Sequence, residues 1–214
     1  RYTTSHPNDF TEDLIKAHGE SDKLMPFIHL PVQSGSNRIL KSMNRNHTVE
    51  DYLRLIEKLN KVNPRMQYSS DFIIGYPGET EEDFNLTLKL LKEVKYINSY
   101  SFIFSPRPGT PAAKMKQMNY EISKERLIIF QKAAEKIKLD YRKKLISHST
   151  QVLLENKVVD KEEFFGRDEF SNSVIVKSQE SVVGQIKEVK IINGNQNTLF
   201  GEIKKNNYKK ECAA

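Results

Sequence analysis

The alternation of strand-like and helix-like segments over residues 1–147 limits the possible folds more than any other feature of this sequence. Each short apolar run is followed by a longer amphipathic pattern, which is typical of βα units and favours a parallel sheet covered by helices. We therefore predict an α/β domain over residues 1–147. Its strands are predicted near residues 2–5, 27–32, 68–74 and 99–105.

Two of the predicted helices begin at a threonine followed by acidic residues, at Thr48 and Thr80. The hydroxyl accepts a hydrogen bond from a free backbone amide, and the carboxylates lie near the positive end of the helix dipole. We therefore interpret the acidic group Glu79, Glu81, Glu82 and Asp83 as part of a helix start rather than as paired catalytic carboxylates. A last long helix is predicted from Ser123 to Leu145, with its basic side chains, Arg142 included, facing solvent.

After residue 148 the pattern changes to short segments in which apolar and polar residues alternate, as is typical of antiparallel strands. This predicts a small antiparallel β-barrel of the oligonucleotide-binding type over residues 148–206, followed by a polar tail at 207–214. The predicted strands are Gln151–Glu155, Ser173–Lys177, Gln185–Ile192 and Thr198–Ile203, with a fifth candidate at Phe164–Gly166.

Composition excludes several classes of protein. No apolar run is long enough to span a membrane and no targeting leader is evident, so a cytoplasmic protein without a membrane partner is expected. The single cysteine, Cys212, can form neither a disulfide nor a cysteine-ligated metal cluster within this chain. The net charge of +6 is concentrated between residues 121 and 147, which permits a nucleic-acid partner without requiring one.

The predicted parallel strands end in segments rich in glycine, proline and serine. Ligands of parallel βα folds bind at these carboxyl ends, where loops meet helix N-termini. Gly75 and Gly78 leave room for a flat ligand to approach the backbone, and Gln33, Ser34 and Asp71 offer hydrogen-bonding groups, so a polar small molecule would fit. Because the same residue types also make ordinary turns, the pattern alone leaves both interpretations open.

Isolated polar residues in the predicted strands give weaker signals. We interpret His6 and His29 as core or rim residues rather than as bases or metal ligands, since no carboxylate is spaced to complete a metal site. Asp71 follows two serines inside a largely apolar strand. It is either a partner of a basic group or a catalytic acid, and the sequence does not separate the two.

Four linked motifs, "TTSHP", "HLPVQSGSNRILKSMNR", "SSDFIIGYPGET" and "SYSFIFSPRPGTPA", followed by a small barrel, resemble the MiaB-type tRNA methylthiotransferases, which are radical S-adenosylmethionine enzymes. The resemblance implies the C-terminal half of a radical SAM (β/α) partial TIM barrel, followed by a TRAM domain that contacts tRNA. It implies transfer of a methylthio group to an isopentenylated adenosine beside the anticodon, with S-adenosylmethionine and two [4Fe-4S] clusters as cofactors.

The sequence departs from the family pattern in its cysteines. The cluster-binding cysteines of the family belong upstream of Arg1, so we expect a fragment that is inactive alone and needs a separate or upstream half. Two alternatives stay open. The chain is a non-enzymatic RNA-binding remnant of a split or decayed gene, or it is part of a related methylthiotransferase acting on threonylcarbamoyl-adenosine or a ribosomal protein.

The resemblance also assigns site residues. Gln33 and Ser34 would bond the ribose or the methionine end, and Ile73 with Gly75 would flank the adenine. Arg45 would pair with the methionine carboxylate, or it is simply a solvated cation at a helix end. The expected S-adenosylmethionine pocket comprises Thr4, Ser5, Gln33, Ser34, Arg45, Asp71, Ile73 and Gly75, and the expected tRNA contacts are Lys136, Arg142, Lys143, Arg167, Phe170 and Asn172.

Overall fold

The computed structural model describes residues 1–3 and 6–204. The chain divides into two compact units, Arg1–Asp140 and Tyr141–Ala214. The boundary predicted after residue 147 lies a few residues beyond this division, past the end of the last long helix. The polar tail predicted at 207–214 falls outside the described residues.

The first unit begins with a 3-10 turn at Pro7–Asp9 and contains three strands with helices between and after them. The predicted strand near residues 2–5 is not found at residues 2 and 3, which are not part of any strand, and Thr4 and Ser5 lie outside the described residues. In chain order the elements are α1 (Glu12–Glu20), β1 (Phe27–His29), α2 (Asn37–Ser42), α3 (Val49–Val62), β2 (Gln67–Ile74), α4 (Glu81–Val94), β3 (Asn98–Ile103), α5 (Pro111–Lys114) and α6 (Tyr120–Leu145), the last of which continues into the second unit.

The three strands form a parallel sheet in the order β1-β2-β3. Successive side chains of β2 point to opposite faces, so Tyr68, Phe72 and Ile74 enter the core that α3, α4 and α6 cover. The opposite face is less covered, and Tyr100 and Phe102 on β3 are among its most exposed residues. We call this second surface the open face; its members are His29, Ser69, Asp71, Ile73, Tyr100 and Phe102.

The second unit is a closed barrel of β4 (Ser149–Lys157), β5 (Glu163–Asp168), β6 (Ser173–Lys177), β7 (Ile186–Gly194) and β8 (Leu199–Ile203). All five predicted strands are confirmed, and their order is β4-β5-β6-β8-β7. The expectation of a purely antiparallel barrel is wrong at one pair, because β6 and β8 run parallel. A closed ring with an odd number of strands cannot alternate direction throughout, so at least one parallel pair is required.

Apolar side chains fill the barrel interior. Val152, Phe164, Val174 and Leu199 are buried there, as the alternating sequence pattern predicts. The combination of a helix-covered parallel sheet and a small closed barrel confirms the predicted fold class. No helix in the described part of the chain is both long enough and apolar enough to cross a membrane.

Candidate functional site

Gln33 lies where the chain leaves β1 and continues alongside β2. Its backbone N–H donates to the Asp71 carbonyl over 3.0 Å, and its carbonyl accepts from Ile73 N–H over 2.9 Å. Its φ of 75° is in the left-handed region that a non-glycine residue seldom occupies, and such strain concentrates at functional sites. The fold therefore fixes Gln33 between two residues of the predicted pocket.

The rest of the same motif is engaged in packing against α4. The Ser34 hydroxyl lies 3.4 Å from Thr87 Oγ1, and Gly35 N–H donates to that same oxygen over 3.0 Å. A Cβ built on Gly35 would lie 2.5 Å from the Leu86 carbonyl oxygen, so only glycine fits. The predicted ligand contact of Ser34 is not supported by this geometry, because its hydroxyl is buried and directed at a helix.

Asp83 joins the loop after β1 to the loop after β2. It completes a capping box with Thr80, accepts a 2.6 Å hydrogen bond from the Ser36 hydroxyl, and pairs with Arg38. Burial alone would raise the pKa of Asp83, but the hydrogen bonds from Arg38, Ser36 and Thr80 outweigh burial and hold that pKa well below its usual range. The interpretation of Asp83 as a helix-start residue is confirmed.

Glu79 has a different role from its acidic neighbours. Its carboxylate accepts from Gly75 N–H over 3.3 Å and from the Arg126 guanidinium over 2.8 Å, and both side chains are mostly buried. Burial raises the pKa of Glu79, although the Arg126 charge opposes the shift. This buried pair stabilises the turn after β2. The interpretation of Glu79 as part of a helix start is therefore wrong.

Gly75 is required for a reason other than the one the sequence suggested. Its φ is 74°, and a Cβ there would lie 2.3 Å from the Ser123 hydroxyl oxygen. The space beside Gly75 is thus filled by the start of α6, so the expectation that this space admits a flat ligand is wrong. Beside Gly78, whose φ is 80°, no atom lies within 4 Å of a built Cβ.

The open face carries a polar cluster that spans all three strands. His29 Nε2 lies 3.5 Å from Asp71 Oδ2, and His29 Nδ1 lies 2.8 Å from the Ser69 hydroxyl oxygen. The Tyr100 ring meets the His29 ring edge-on, with centroids 5.9 Å apart. This contact gives Asp71 a histidine neighbour, in line with one of the two roles left open for it, and the Asp71 side chain keeps 31% exposure.

His29, Tyr100 and Phe102 are site residues that sequence reasoning missed. His29 was interpreted as a core or rim residue, and its side chain is indeed 15% exposed at the rim of the sheet, but in contact with Asp71. The alternation within β2 and β3 was a usable signal, because it places Asp71, Tyr100 and Phe102 on the face opposite the apolar core residues.

Arg45 follows α2 just after Asn44, whose φ is 57°. The Arg45 side chain is half-buried, and its guanidinium has no hydrogen bond or ion pair within residues 1–3 and 6–204. The geometry is compatible with an anionic ligand group there, but no described hydrogen bond or ion pair joins Arg45 to Gln33 or Asp71. Thr4 and Ser5, the other predicted pocket residues, lie outside the described residues.

Two of the predicted tRNA contacts are buried. Arg142 was expected to face solvent, yet it is only 4% exposed and donates to the Asn195 and Asn197 carbonyls over 2.6 and 3.3 Å. Burial lowers the pKa of Arg142. The expected exposure of Arg142 is therefore wrong, because its guanidinium supplies the donors that the loop between β7 and β8 requires.

Asn172 is buried in the turn between β5 and β6. Its side-chain amide donates to Asp168 Oδ2 over 2.9 Å, and Asp168 Oδ1 accepts from the Phe170 and Asn172 backbone amides. Asn172 is 2% exposed, so in this structure it is not available to meet a sugar or base. Burial also raises the pKa of Asp168.

The other predicted tRNA contacts reach the surface to different degrees. Lys136 and Lys143 are exposed, and Phe170 is half-buried. Arg167 pairs with Glu155 over 2.5 Å and lies 5.2 Å from the centroid of the Phe165 ring. A phosphate contact by Arg167 would therefore compete with an existing ion pair.

No group of three or more histidine, cysteine, aspartate or glutamate side chains is placed to hold a metal ion in the part of the chain that the structure describes.

Comparisons with known proteins show what the chain is similar to. Residues 1–91 match the radical SAM superfamily. The chain is 51% identical over 210 residues to the tRNA-2-methylthio-N(6)-dimethylallyladenosine synthase of Pelagibacter ubique, an alignment covering 98% of the chain and 47% of that relative. It is 50% identical over 203 residues to the synthase of the same name from Zymomonas mobilis, covering 94% of the chain and 45% of the relative.

A solved structure supports the fold alone. Coproporphyrinogen III oxidase of Escherichia coli, described as a radical SAM enzyme, superposes with a TM-score of 0.50 at 14% identity, covering 77% of this chain and 45% of that one. The chain spans just under half the length of the curated relatives that it matches. Over the part that it spans, the chain is a homologue of the MiaB-type tRNA methylthiotransferases, and its residues 1–91 match the radical SAM superfamily.

Proposed function

We propose that this chain is the S-adenosylmethionine- and tRNA-binding part of a tRNA methylthiotransferase that adds a methylthio group to N6-dimethylallyl-adenosine beside the anticodon. The observation that carries the proposal is the 51% identity to a synthase of that name across 98% of the chain. Because the chain corresponds to less than half of that relative, we assign the complete reaction to this chain acting together with an upstream or separate half.

The polar groups at the mouth of the sheet fit S-adenosylmethionine. The amide of Gln33 offers a donor and an acceptor for ribose hydroxyls, and the neighbouring Asp71 carboxylate is a further acceptor. Ile73, bonded through its backbone to Gln33, supplies apolar contact for the adenine. Arg45 suits the methionine carboxylate, because a guanidinium presents paired N–H donors. None of the guanidinium donors of Arg45 is used in a described hydrogen bond.

Ser34 and Gly75 take part indirectly. Ser34 fixes the backbone that presents Gln33, and Gly75 lets the turn after β2 close against Ser123. Thr4 and Ser5 stay in the proposed pocket on the family resemblance. When bound, S-adenosylmethionine would supply the methyl group and the radical chemistry that gives the superfamily its name.

The two [4Fe-4S] clusters do not fit the residues of this chain. Such a cluster takes several thiolates, and the sequence contains one cysteine. The thiolates must therefore come from the other half of the enzyme. What these residues contribute is binding and orientation of the two organic substrates.

The barrel is the proposed tRNA-binding module, since its strand order is that of oligonucleotide-binding barrels. Lys143 is the phosphate contact in the second unit, with Arg167 and Phe170 near the turn between β5 and β6. Lys136 is a further phosphate contact in the first unit. Arg142 and Asn172, which the sequence also suggested, hold the barrel loops that frame these contacts.

The decisive experiment measures 2-methylthio-adenosine derivatives by nucleoside mass spectrometry in tRNA from a methylthiotransferase-deficient host. The host expresses this chain alone, an upstream half of proven competence alone, or both. Restoration only with both halves supports the proposal. Failure of the pair points to an RNA-binding remnant, and methylthiolation of threonylcarbamoyl-adenosine or of a ribosomal protein instead points to one of the related enzymes.

A further inference from the structure

Strand β3 places two aromatic side chains side by side on the open face. Tyr100 and Phe102 are 52% and 58% exposed, and they are paired in register with Asp71 and Ile73 of β2. Parallel strands usually have both faces covered, so two exposed aromatic rings here indicate a surface that something outside this chain covers. They lie on the same face as the His29–Asp71 cluster, whose Asp71 belongs to the proposed S-adenosylmethionine pocket.

The spacing and surroundings of the two rings suit a flat base. Residues i and i+2 of a strand are about 7 Å apart on one face, which is close to the length of a purine. The edge-on contact with His29 already orients the Tyr100 ring. Stacking on aromatic rings accepts any base, so discrimination between substrates must come from the substituent that the base carries.

We infer that Tyr100 and Phe102 bind the target adenosine through its base and its apolar N6 substituent, and that they select against a substituent carrying a carboxylate. This inference rests on the proposed function. A dimethylallyl group, which the relatives' names contain, would cover the exposed Phe102 ring. Both apolar surfaces would then be removed from water, which favours binding. A threonylcarbamoyl group would bring its carboxylate onto the apolar Phe102 ring, on the same face of the sheet as the Asp71 carboxylate, where desolvation and repulsion both oppose binding.

The test measures binding, so that it does not depend on turnover. The chain is assembled with its upstream half, and fluorescence anisotropy is recorded with anticodon stem-loop RNAs whose target adenosine is unmodified, N6-dimethylallyl or N6-threonylcarbamoyl. The variants are Phe102→Ala and Tyr100→Ala. The matched control is Tyr120→Ala, because Tyr120 is also an exposed aromatic residue, 62% exposed, but lies at the start of α6.

The wild-type assembly is expected to bind the dimethylallyl RNA at least about fivefold more tightly than the unmodified RNA, and the threonylcarbamoyl RNA no more tightly than the unmodified one. Phe102→Ala should bring the ratio of the dimethylallyl-RNA affinity to the unmodified-RNA affinity close to one. Tyr100→Ala should weaken binding of the dimethylallyl and unmodified RNAs alike. Tyr120→Ala should change neither this ratio nor the affinities. Thermal unfolding of each variant checks that the fold is kept.

Three results would overturn the inference: equal wild-type affinities for the dimethylallyl and unmodified RNAs, tight binding of the threonylcarbamoyl RNA, or a ratio untouched by Phe102→Ala. Methylthiolation of the same RNAs separates this failure from failure of the proposed function. Product formed with an unchanged binding ratio in Phe102→Ala refutes only the role of the aromatic pair. Selective binding without any product refutes the proposed reaction and leaves the aromatic pair as a binding site.

Discussion

The two capping boxes of the first unit allow a controlled test of what Asp83 contributes. Thr48–Asp51 starts α3 and Thr80–Asp83 starts α4, with the same pair of reciprocal hydrogen bonds in each. The Asp51 side chain is 46% exposed and has only the exposed Arg54 as an ionic partner, whereas the Asp83 side chain is 6% exposed. The alanine variants Asp83→Ala and Asp51→Ala therefore differ mainly in the buried contacts of Asp83.

The expected loss for Asp83→Ala is about 3 kcal/mol of unfolding free energy. The N-cap Thr80 is kept, but its N–H and hydroxyl lose the Asp83 carboxylate as acceptor, which costs about 1 kcal/mol. The Ser36 hydroxyl, 2.6 Å from the carboxylate, is then left buried without its acceptor, which costs about 2 kcal/mol more. Arg38 adds little, because its side chain is 58% exposed and water screens the pair. Asp51→Ala removes only exposed contacts and should cost much less.

Urea unfolding followed by far-UV circular dichroism measures both losses, provided that the slope of the transition is unchanged. The pH adds a second check. The folded pKa of Asp83 lies below its usual value near 3.8, so its carboxylate stabilises the fold above that pH, and this stabilisation is lost as the pH falls toward the folded pKa. The difference in unfolding free energy between wild type and Asp83→Ala should thus decrease below about pH 4. Equal losses for the two variants at pH 7 would refute the role of the Ser36–Asp83 contact.

Four further predictions follow from the structure. Gly75→Ala should lower the melting temperature clearly more than Gly78→Ala, because both need a positive φ but only Gly75 also faces Ser123; equal shifts would show that the Ser123 contact is unimportant. Arg142→Met should destabilise the fold by about 2 kcal/mol in denaturant titrations, since two loop carbonyls lose their donors. Lys143→Met should instead leave stability unchanged and make tRNA binding less salt-dependent in anisotropy titrations. The chain expressed alone should self-associate in sedimentation velocity, because the open face exposes apolar rings, and a clean monomer would contradict this.

The local patterns of the sequence were sufficient to predict most of the fold. Alternation with a period of two located all five strands of the barrel, and the threonine caps located the starts of α3 and α4. Such signals are local, because a capping box or a strand pattern is complete within a few residues. The parallel pair in the barrel was missed since it depends on closure of the whole ring.

The site was harder to predict because its residues are brought together by contacts distant in sequence. Ser34 and Gly75 occur in glycine- and serine-rich turns that look like a ligand cradle, but Thr87 and Ser123, far along the chain, occupy the positions where a ligand was expected. Arg142 shows the same limit. Its position on a helix among lysines suggested that its side chain faces solvent. Its burial is explained only by its hydrogen bond to the loop at Asn195.

These misassignments have a common cause, and that cause helps to define the proposed site. In the motif Gln33–Ser36, three of four residues hold the loop to α4, and they leave Gln33 with a strained backbone and a side chain that no described hydrogen bond uses. Strain at a non-glycine residue persists only when the surrounding contacts enforce it. The buried Ser36–Asp83 contact contributes to that enforcement, so residues outside the proposed pocket determine how the backbone presents Gln33 to it.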